Sequence, residues 1–350
     1  MENKIQVLDC TLRDGGLGLE DANKNSLSSI KFSVEDIAFV SNKLADSCID
    51  IVELGAIEIT EDDRTGFAIY QSIERISRMI PKNRKPNQLF AALFRGPDTP
   101  IEDIPDWNPS LCEVVRVIIR YSEMQKSLDF CSSLTKKGYK VFVQPMLTMR
   151  YTDSEIDLLI NETNKMNAYA LYFVDSYGYM QKGDIKRLFE RYDKTLHPEI
   201  RIGFHAHNNM DLAFSNVLEF IEISHDRKIV VDSCLMGMGQ GAGNLQTELL
   251  IGYLNESSYN FDSILDACEL IEKYNIQTLW GYSVTRLLPA IHRTAYKYAI
   301  VLRFQYKFSY SEINMILSQI PEELKQRYTP ENTATLLKVT GFGHKLVIEE

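Results

Sequence analysis

Eight short runs rich in Val, Ile, Leu and Phe recur along the chain, near residues 5–12, 49–54, 89–94, 114–119, 140–144, 170–174, 200–205 and 228–234. The runs are near-continuously apolar, so both faces of each strand must be covered. Segments with helical periodicity separate them. In residues 33–45, for example, Val34, Ile37, Ala38, Val40, Ser41 and Leu44 share helical spacing behind Ser33 as the N-cap. Alternating strands and helices imply a parallel sheet covered on the outside. Eight units within about 250 residues predict a TIM (β/α)8 barrel rather than an open doubly wound sheet. The barrel is expected over residues 1–257, with a helical C-terminal region over 258–350.

In that C-terminal region the periodicity predicts helices at residues 263–274, 284–302, 311–320 and 330–338, the last opening with Pro at an allowed first-turn position. Its aromatic residues, Tyr296, Tyr298, Phe304, Tyr306, Phe308 and Tyr310, are expected to pack against the barrel or a second subunit. A homodimer accommodates them, and so does intramolecular packing. The net charge of −10 disfavours nucleic acid or an anionic membrane as main partner. No secretory signal or long apolar segment is visible, so the expected location is the cytoplasm. The six cysteines are widely scattered and contain no C-x-x-C pair, which predicts reduced thiols.

Many of the predicted strands end in polar residues, among them Arg13, Asp14, Glu53, Arg95, Arg120, Gln144, Asp175, His205 and His207. In a TIM barrel those ends form the active-site face. Taken singly, Arg95 or Arg120 is more simply read as a solvated loop residue. The sharpest local signal is G-F-H-A-H-N-N. Side chains two apart on a strand project to one face, so His205 and His207 can chelate one metal. A structural histidine pair is the plainer alternative, and further ligands decide between the two. Asp14, after the first strand, is a candidate third ligand, because strands seven, eight and one are neighbours when the barrel closes. Asn244, after the eighth strand, lies in the same arc. These oxygen and imidazole donors suit Mn²⁺, Mg²⁺, Zn²⁺ or Co²⁺ alike.

The glycine-rich run G-M-G-Q-G-A-G-N follows the eighth strand rather than the first, which argues against a dinucleotide site. A phosphate or carboxylate held by backbone N–H groups near Asn244 fits better. Arg13 has a mechanistic use: beside a chelated 2-oxo acid, a guanidinium stabilises the enolate formed when a C–C bond breaks or a proton leaves. Glu53 would orient Arg13 through a charge-assisted hydrogen bond. A structural ion pair at the barrel rim is the plainer reading of those two.

L-D-C-T-L-R-D-G-G at 8–16, V-E-L-G at 52–55, V-D-S-Y-G at 174–178, H-A-H-N at 205–208 and G-Q-G-A-G-N at 239–244 resemble, in this order, the motifs of the DRE-TIM metallolyase superfamily, the HMG-CoA lyase-like enzymes. The resemblance covers residues 5–255. It implies Asp14, His205 and His207 as metal ligands, Asn244 as a further ligand, and Arg13 and Glu53 as the remainder of the Asp-Arg-Glu trio. M-G-M-G-Q-G-A-G-N and W-G-Y-S at 280–283 look most like the 4-hydroxy-2-oxovalerate aldolase branch. That branch carries a histidine base where this chain has Leu17, which cannot transfer a proton. Cys234 is near, but not in register with, the catalytic cysteine of the lyase.

Tyr177, Tyr282 and Glu53 are stand-in acids or bases. The expected activity is thus a divalent-metal-dependent aldolase or lyase acting through a metal-bound enolate of pyruvate or a related 2-oxo acid, with an aldehyde as second reactant. An acyl-CoA/2-oxo acid condensing enzyme is the rival enzymatic reading, and a non-catalytic 2-oxo acid-binding subunit the rival from another class. By resemblance to the branch, an aldehyde dehydrogenase is a candidate partner.

Overall fold

Strands apolar on both faces are stable only with a packed barrel interior on one side and helices on the other, and the eight runs adopt this arrangement. The computed structural model describes residues 4–24, 27–275 and 280–347. Its strands are β1 (Ile5–Asp9), β2 (Ile51–Ile57), β3 (Ile69–Tyr70), β4 (Leu89–Phe94), β5 (Val114–Ile119), β6 (Lys140–Pro145), β7 (Ala170–Asp175), β8 (Arg201–Ala206) and β9 (Ile229–Ser233). Neighbouring strands pair in parallel in the order β1-β9-β8-β7-β6-β5-β4-β2, and β1 also pairs with β2, which closes an eight-stranded TIM barrel. β3 is an addition the sequence did not predict. It pairs with the far end of β2 beyond an irregularity between Glu53 and Ala56.

The period of two sorts each strand's residues. Val115, Val117 and Ile119 of β5 join the cluster between barrel and helices, whereas Val114, Phe142, Ala170, Tyr172 and Val230 pack inside the barrel. Helix ends follow local chemistry. Ser33 accepts from the Asp36 N–H at 3.0 Å to start the helix Val34–Asp46. Thr152 and Glu155 form a capping box ahead of Asp153–Met166. The first run ends earlier than expected, at Asp9, and Thr11–Gly15 winds into one π-helical turn that carries Arg13 and Asp14.

The C-terminal helices differ from expectation in two places. Phe261–Asn275 contributes Ile264, Ala267, Ile271 and Tyr274 to the main barrel cluster rather than to the later helices. The single helix expected over 284–302 is two, Val284–Ile291 and Lys297–Phe304. Arg293 takes a left-handed φ of 52° between them. The Thr294 N–H bonds back to the Pro289 carbonyl at 2.9 Å, and the Ala295 N–H bonds to the Lys325 carbonyl at 2.8 Å, so these donors leave the helical ladder. Tyr298, Leu302, Phe308, Ile316 and Leu336 form a second core against which Tyr177 packs. Phe304 and Tyr310, by contrast, are exposed. None of the six cysteines forms a disulfide, and no helix among the described residues is long and apolar enough to cross a membrane.

Leu302 is fully buried in the second core. Leu302→Ala is expected to cost about 2–5 kcal/mol. Hydrogen exchange should rise mainly in residues 284–340; an equal rise across the barrel strands would show that the two cores unfold as one.

Candidate active site

Asp14, His205 and His207 are buried, and one donor atom from each lies within 4.8 Å of the others. Asp14 comes from the π-helical turn after β1, His205 from β8, and His207 from the residues just past β8. His207 makes an isolated bridge with Asn244. The two imidazoles stand 5.0 Å apart, nearly perpendicular at 82°. Each is held through Nδ1: His205 by Asp232 Oδ2 at 2.8 Å, and His207 by the Gly243 carbonyl at 3.2 Å. Nδ1 is thereby the donor; Nε2 of the neutral His207 carries a free lone pair, and Nε2 of His205 gains one when its ring gives up a proton. Asn244 Nδ2 donates to Asp14 Oδ2 at 2.5 Å, while its Oδ1 is buried without a partner among the described residues. Two imidazole nitrogens, a carboxylate and an orphaned amide oxygen form a donor set that fits a divalent cation.

A continuous line of paired charges runs behind these groups. Arg13 bonds Asp14 through Nη1 and Glu53 Oε2 through Nε, the latter at 2.8 Å. The same Glu53 oxygen accepts from Arg116 Nη1 at 2.7 Å. Arg116 also pairs with Asp232, which in turn receives the Tyr172 hydroxyl at 2.9 Å and His205. With its amide oxygen turned toward Arg116, Gln144 accepts from Nε at 3.1 Å and Nη2 at 2.9 Å.

These contacts set the protonation states. Burial by itself raises a carboxyl, yet Arg13 and the two histidines hold Asp14 well below the usual carboxylate range. Burial works against a protonated His205, but the bond to Asp232 wins and lifts it to about 9. For His207 burial dominates, and the imidazole is pushed down to about 4, so it is neutral at pH 7.

The glycine-rich run packs against the candidate cation ligands. Several of its N–H groups are bonded within the protein: Gln240 to Asp14 Oδ2, Ala242 to Asn209 Oδ1, and Asn244 to the Gly237 carbonyl. The following helix starts at Thr247. Gly239 is needed because a Cβ there would lie 2.3 Å from Asp14 Oδ2 and 2.2 Å from Asn244 Nδ2. Gly243, with a left-handed φ of 85°, presents the carbonyl that orients His207.

Arg13, Asp14, His205 and His207 line a cavity, together with Gln144, Ser176 and Tyr177. Glu53 lies behind Arg13 and Asn244 behind Asp14; neither is in the cavity wall. Tyr177 spends its hydroxyl on the Gln326 carbonyl at 2.8 Å, and burial pushes it above the ordinary tyrosine range, which removes it as a base. Tyr282 is 59% exposed and absent from the cavity lining, so the structure does not bring it to the site. Leu17 is buried with Ala56, Ile69 and Leu93 in an apolar cluster. Cys234 is buried against Cys10, with their sulfurs 3.3 Å apart. Arg95 and Arg120 make partly exposed ion pairs, with Glu58 and Asp98 respectively.

Sequence reasoning missed Arg116 and Asp232, charges inside the apolar runs V-V-R-V-I-I and I-V-V-D-S. A charge placed mid-strand on the inward-facing parity was the available signal. It also missed the far wall of the cavity, where Tyr296, Lys297, Arg327 and Tyr328 reach over the barrel mouth.

A closed parallel barrel with ionisable groups converging at its C-terminal strand ends defines an enzyme of the TIM-barrel type. The sequence profile of the HMGL-like family matches residues 4–276, and the chain belongs to that family. It is 29% identical over 281 residues to a 4-hydroxy-2-oxovalerate aldolase of Thermomicrobium roseum, covering 76% of this chain and 72% of that one. It is 25% identical over 269 residues to an oxaloacetate decarboxylase of Mycobacterium tuberculosis, covering 75% and 74%. Both relatives are lyases, and the chain is an enzyme of that class. Its fold matches the N-terminal domain of a putative aldolase from Bacteroides vulgatus, with a TM-score of 0.70 at 21% identity over 88% of this chain and 98% of that one. The carboxyl transferase domain of Rhizobium etli pyruvate carboxylase gives the same TM-score of 0.70 at 16% identity, over 97% and 61%.

Asp175, which ends β7 just before Ser176 and Tyr177, is buried and accepts the Tyr179 and Met180 N–H groups at 3.0 Å each. Burial outweighs these bonds and raises its carboxyl from 3.8 to about 7. The folded state therefore binds the proton more tightly than the unfolded chain, and this contribution falls as pH rises from about 4 to about 7. Thermal melts of Asp175→Asn should show a shallower loss of stability across that window than the parent; parallel curves would refute the shift.

Proposed function

We propose that the chain is a divalent-metal-dependent carbon–carbon lyase of the aldolase kind, making or breaking a bond to C3 of pyruvate or a related 2-oxo acid by way of its enolate. The observation that carries this reading is the convergence of Asp14, His205 and His207 with Arg13 in one cavity wall. Asp14, His205 and His207 would hold the cation, and the orphaned Oδ1 of Asn244 is available to it directly or through water. Mn²⁺ is the first choice, ahead of Mg²⁺, Co²⁺ and Zn²⁺. The bound cation supplies Lewis acidity at the 2-oxo group.

Arg13 does the chain's own part. Its Nε and Nη1 are committed to Glu53 and Asp14, while Nη2 has no bond among the described residues and is left for substrate. Charge that develops on the enolate oxygen then meets a guanidinium already fixed in place, with no reorganisation at the moment of reaction. Glu53 and Arg116 are positioning residues: they hold Arg13 from behind.

A second reading is favoured by one observation, the apolar surroundings of Leu17. Retro-aldol cleavage requires a base for the hydroxyl proton, and no proton acceptor stands there. Decarboxylation of a 2-oxo acid with a carboxylate on C3 requires none. The electron pair of the breaking C–C bond becomes the enolate, CO₂ leaves, and C3 then takes a proton from solvent. The mycobacterial relative is named for such a reaction.

Both readings share the enolate, so its formation is the test. Proton NMR in D₂O with Mg²⁺, or Mn²⁺ at low loading, should show deuterium entering C3 of pyruvate or 2-oxobutyrate. Exchange should stop on chelation and in His205→Ala; exchange that survives chelation would overturn the metal-dependent reading. Asp232→Asn should weaken cation binding about 10–100-fold by releasing the His205 ring. Unchanged affinity in a calorimetric titration would show that Asp232 does not orient a ligand.

A further inference from the structure

The cavity extends beyond Arg13 and the candidate cation ligands. Its far wall is built by the C-terminal region, where the helix break at Arg293 leads into Ala295, Tyr296 and Lys297, and a connector brings in Gln326, Arg327 and Tyr328. Two cations therefore line that wall. Lys297 Nζ bonds Asp21 Oδ1 at 2.7 Å, which fixes the ammonium and leaves it further protons to donate. Asp21 is itself shared with Tyr296 and Gln240, so the lysine rests on a braced carboxylate. The Arg327 guanidinium makes no ion pair or hydrogen bond with any described residue, although the chain carries ten more acidic than basic side chains. Asp14 is the single carboxylate among the lining residues, and it already serves Arg13 and Asn244. A 2-oxo acid held at Arg13 would have its own carboxylate matched there. Arg327 then lacks an anion, and Lys297 has only the shared Asp21, unless the second reactant brings one.

We propose that Lys297 and Arg327 form an anion subsite, and that the acceptor is an aldehyde carrying a carboxylate or a phosphate rather than a short neutral aldehyde. The proposal rests on the aldolase reading above and assigns its second substrate by class. Tyr177, Tyr296 and Tyr328 and the apolar Leu93, Ile118 and Val174 also line the cavity, a surface suited to the carbon chain between carbonyl and anion.

The test is binding of acceptor analogues that cannot react. With Mg²⁺ and excess pyruvate present, succinate and glycerol 3-phosphate are titrated against their neutral counterparts, butanediol and glycerol. One anionic probe should bind at least about tenfold more tightly than its neutral partner, the better of the two marking carboxylate or phosphate. Arg327→Gln and Lys297→Gln should each erase about tenfold of that preference. Arg327 is exposed, so its replacement should leave the melting temperature unaltered. Equal binding of charged and neutral probes, or a preference untouched by both substitutions, overturns the proposal. Deuterium exchange of pyruvate, run on the same samples, separates the two ideas: exchange without anion preference sinks the subsite alone, and an Arg327-dependent preference without exchange sinks the aldolase reading alone.

Discussion

An ionised group moved from water into a protein interior costs several kcal/mol unless it is closely paired, and the barrel holds a line of them. Asp14, Arg13, Glu53, Arg116, Asp232 and His205 alternate in sign, and each touches the next. Arg116 and Glu53 are effectively out of reach of solvent. Removing one partner of such a buried pair leaves the other uncompensated, at about 3–5 kcal/mol. The alternation therefore constrains geometry more than it adds stability: every side chain is held from two sides, and the line ends at two candidate cation ligands, Asp14 and His205. Arg116, which does not line the cavity, is thereby joined through Glu53 and Asp232 to both ends of the line.

The period of two along the strands makes this line possible. Inward-facing positions near the base of the barrel carry Leu8, Val114, Phe142 and Ala170, and the charges sit among the remaining inward positions. The apolar runs were legible because burial on both faces leaves a simple compositional trace, and His205, His207, Arg13 and Asp14 were legible because they fall just where runs end. Arg116 and Asp232 were not. Each is one charge in an otherwise apolar strand, and composition by window hides it, whereas parity reveals it: Arg116 is even where Val115 and Val117, its helix-facing neighbours, are odd. β3 escaped notice because two residues paired on the end of β2 leave no periodicity to read.

The far wall was illegible for a different reason. Lys297 and Arg327 reach the cavity through tertiary placement of a helix start and a connector 30 residues apart in sequence, and no local pattern encodes that meeting. The helix expected over 284–302 was a fair reading of periodicity. It fails at Arg293, where the Thr294 N–H reaches five residues back to Pro289 and the Ala295 N–H turns to Lys325 instead of continuing the ladder. Likewise, Tyr282 sat in a motif-like stretch yet is exposed, since motif membership does not fix which side of a loop faces the cavity.

The break at Arg293 has an evolutionary consequence. An α-helix turns about 100° per residue, so gaining or losing a single residue between Pro289 and Lys297 would swing Tyr296 and Lys297 away from the barrel mouth while leaving the second core's apolar stripe out of phase. Length changes in this family branch should therefore accumulate elsewhere, in the surface connectors, and the spacing from Pro289 to Lys297 should stay constant even where the residues between them drift.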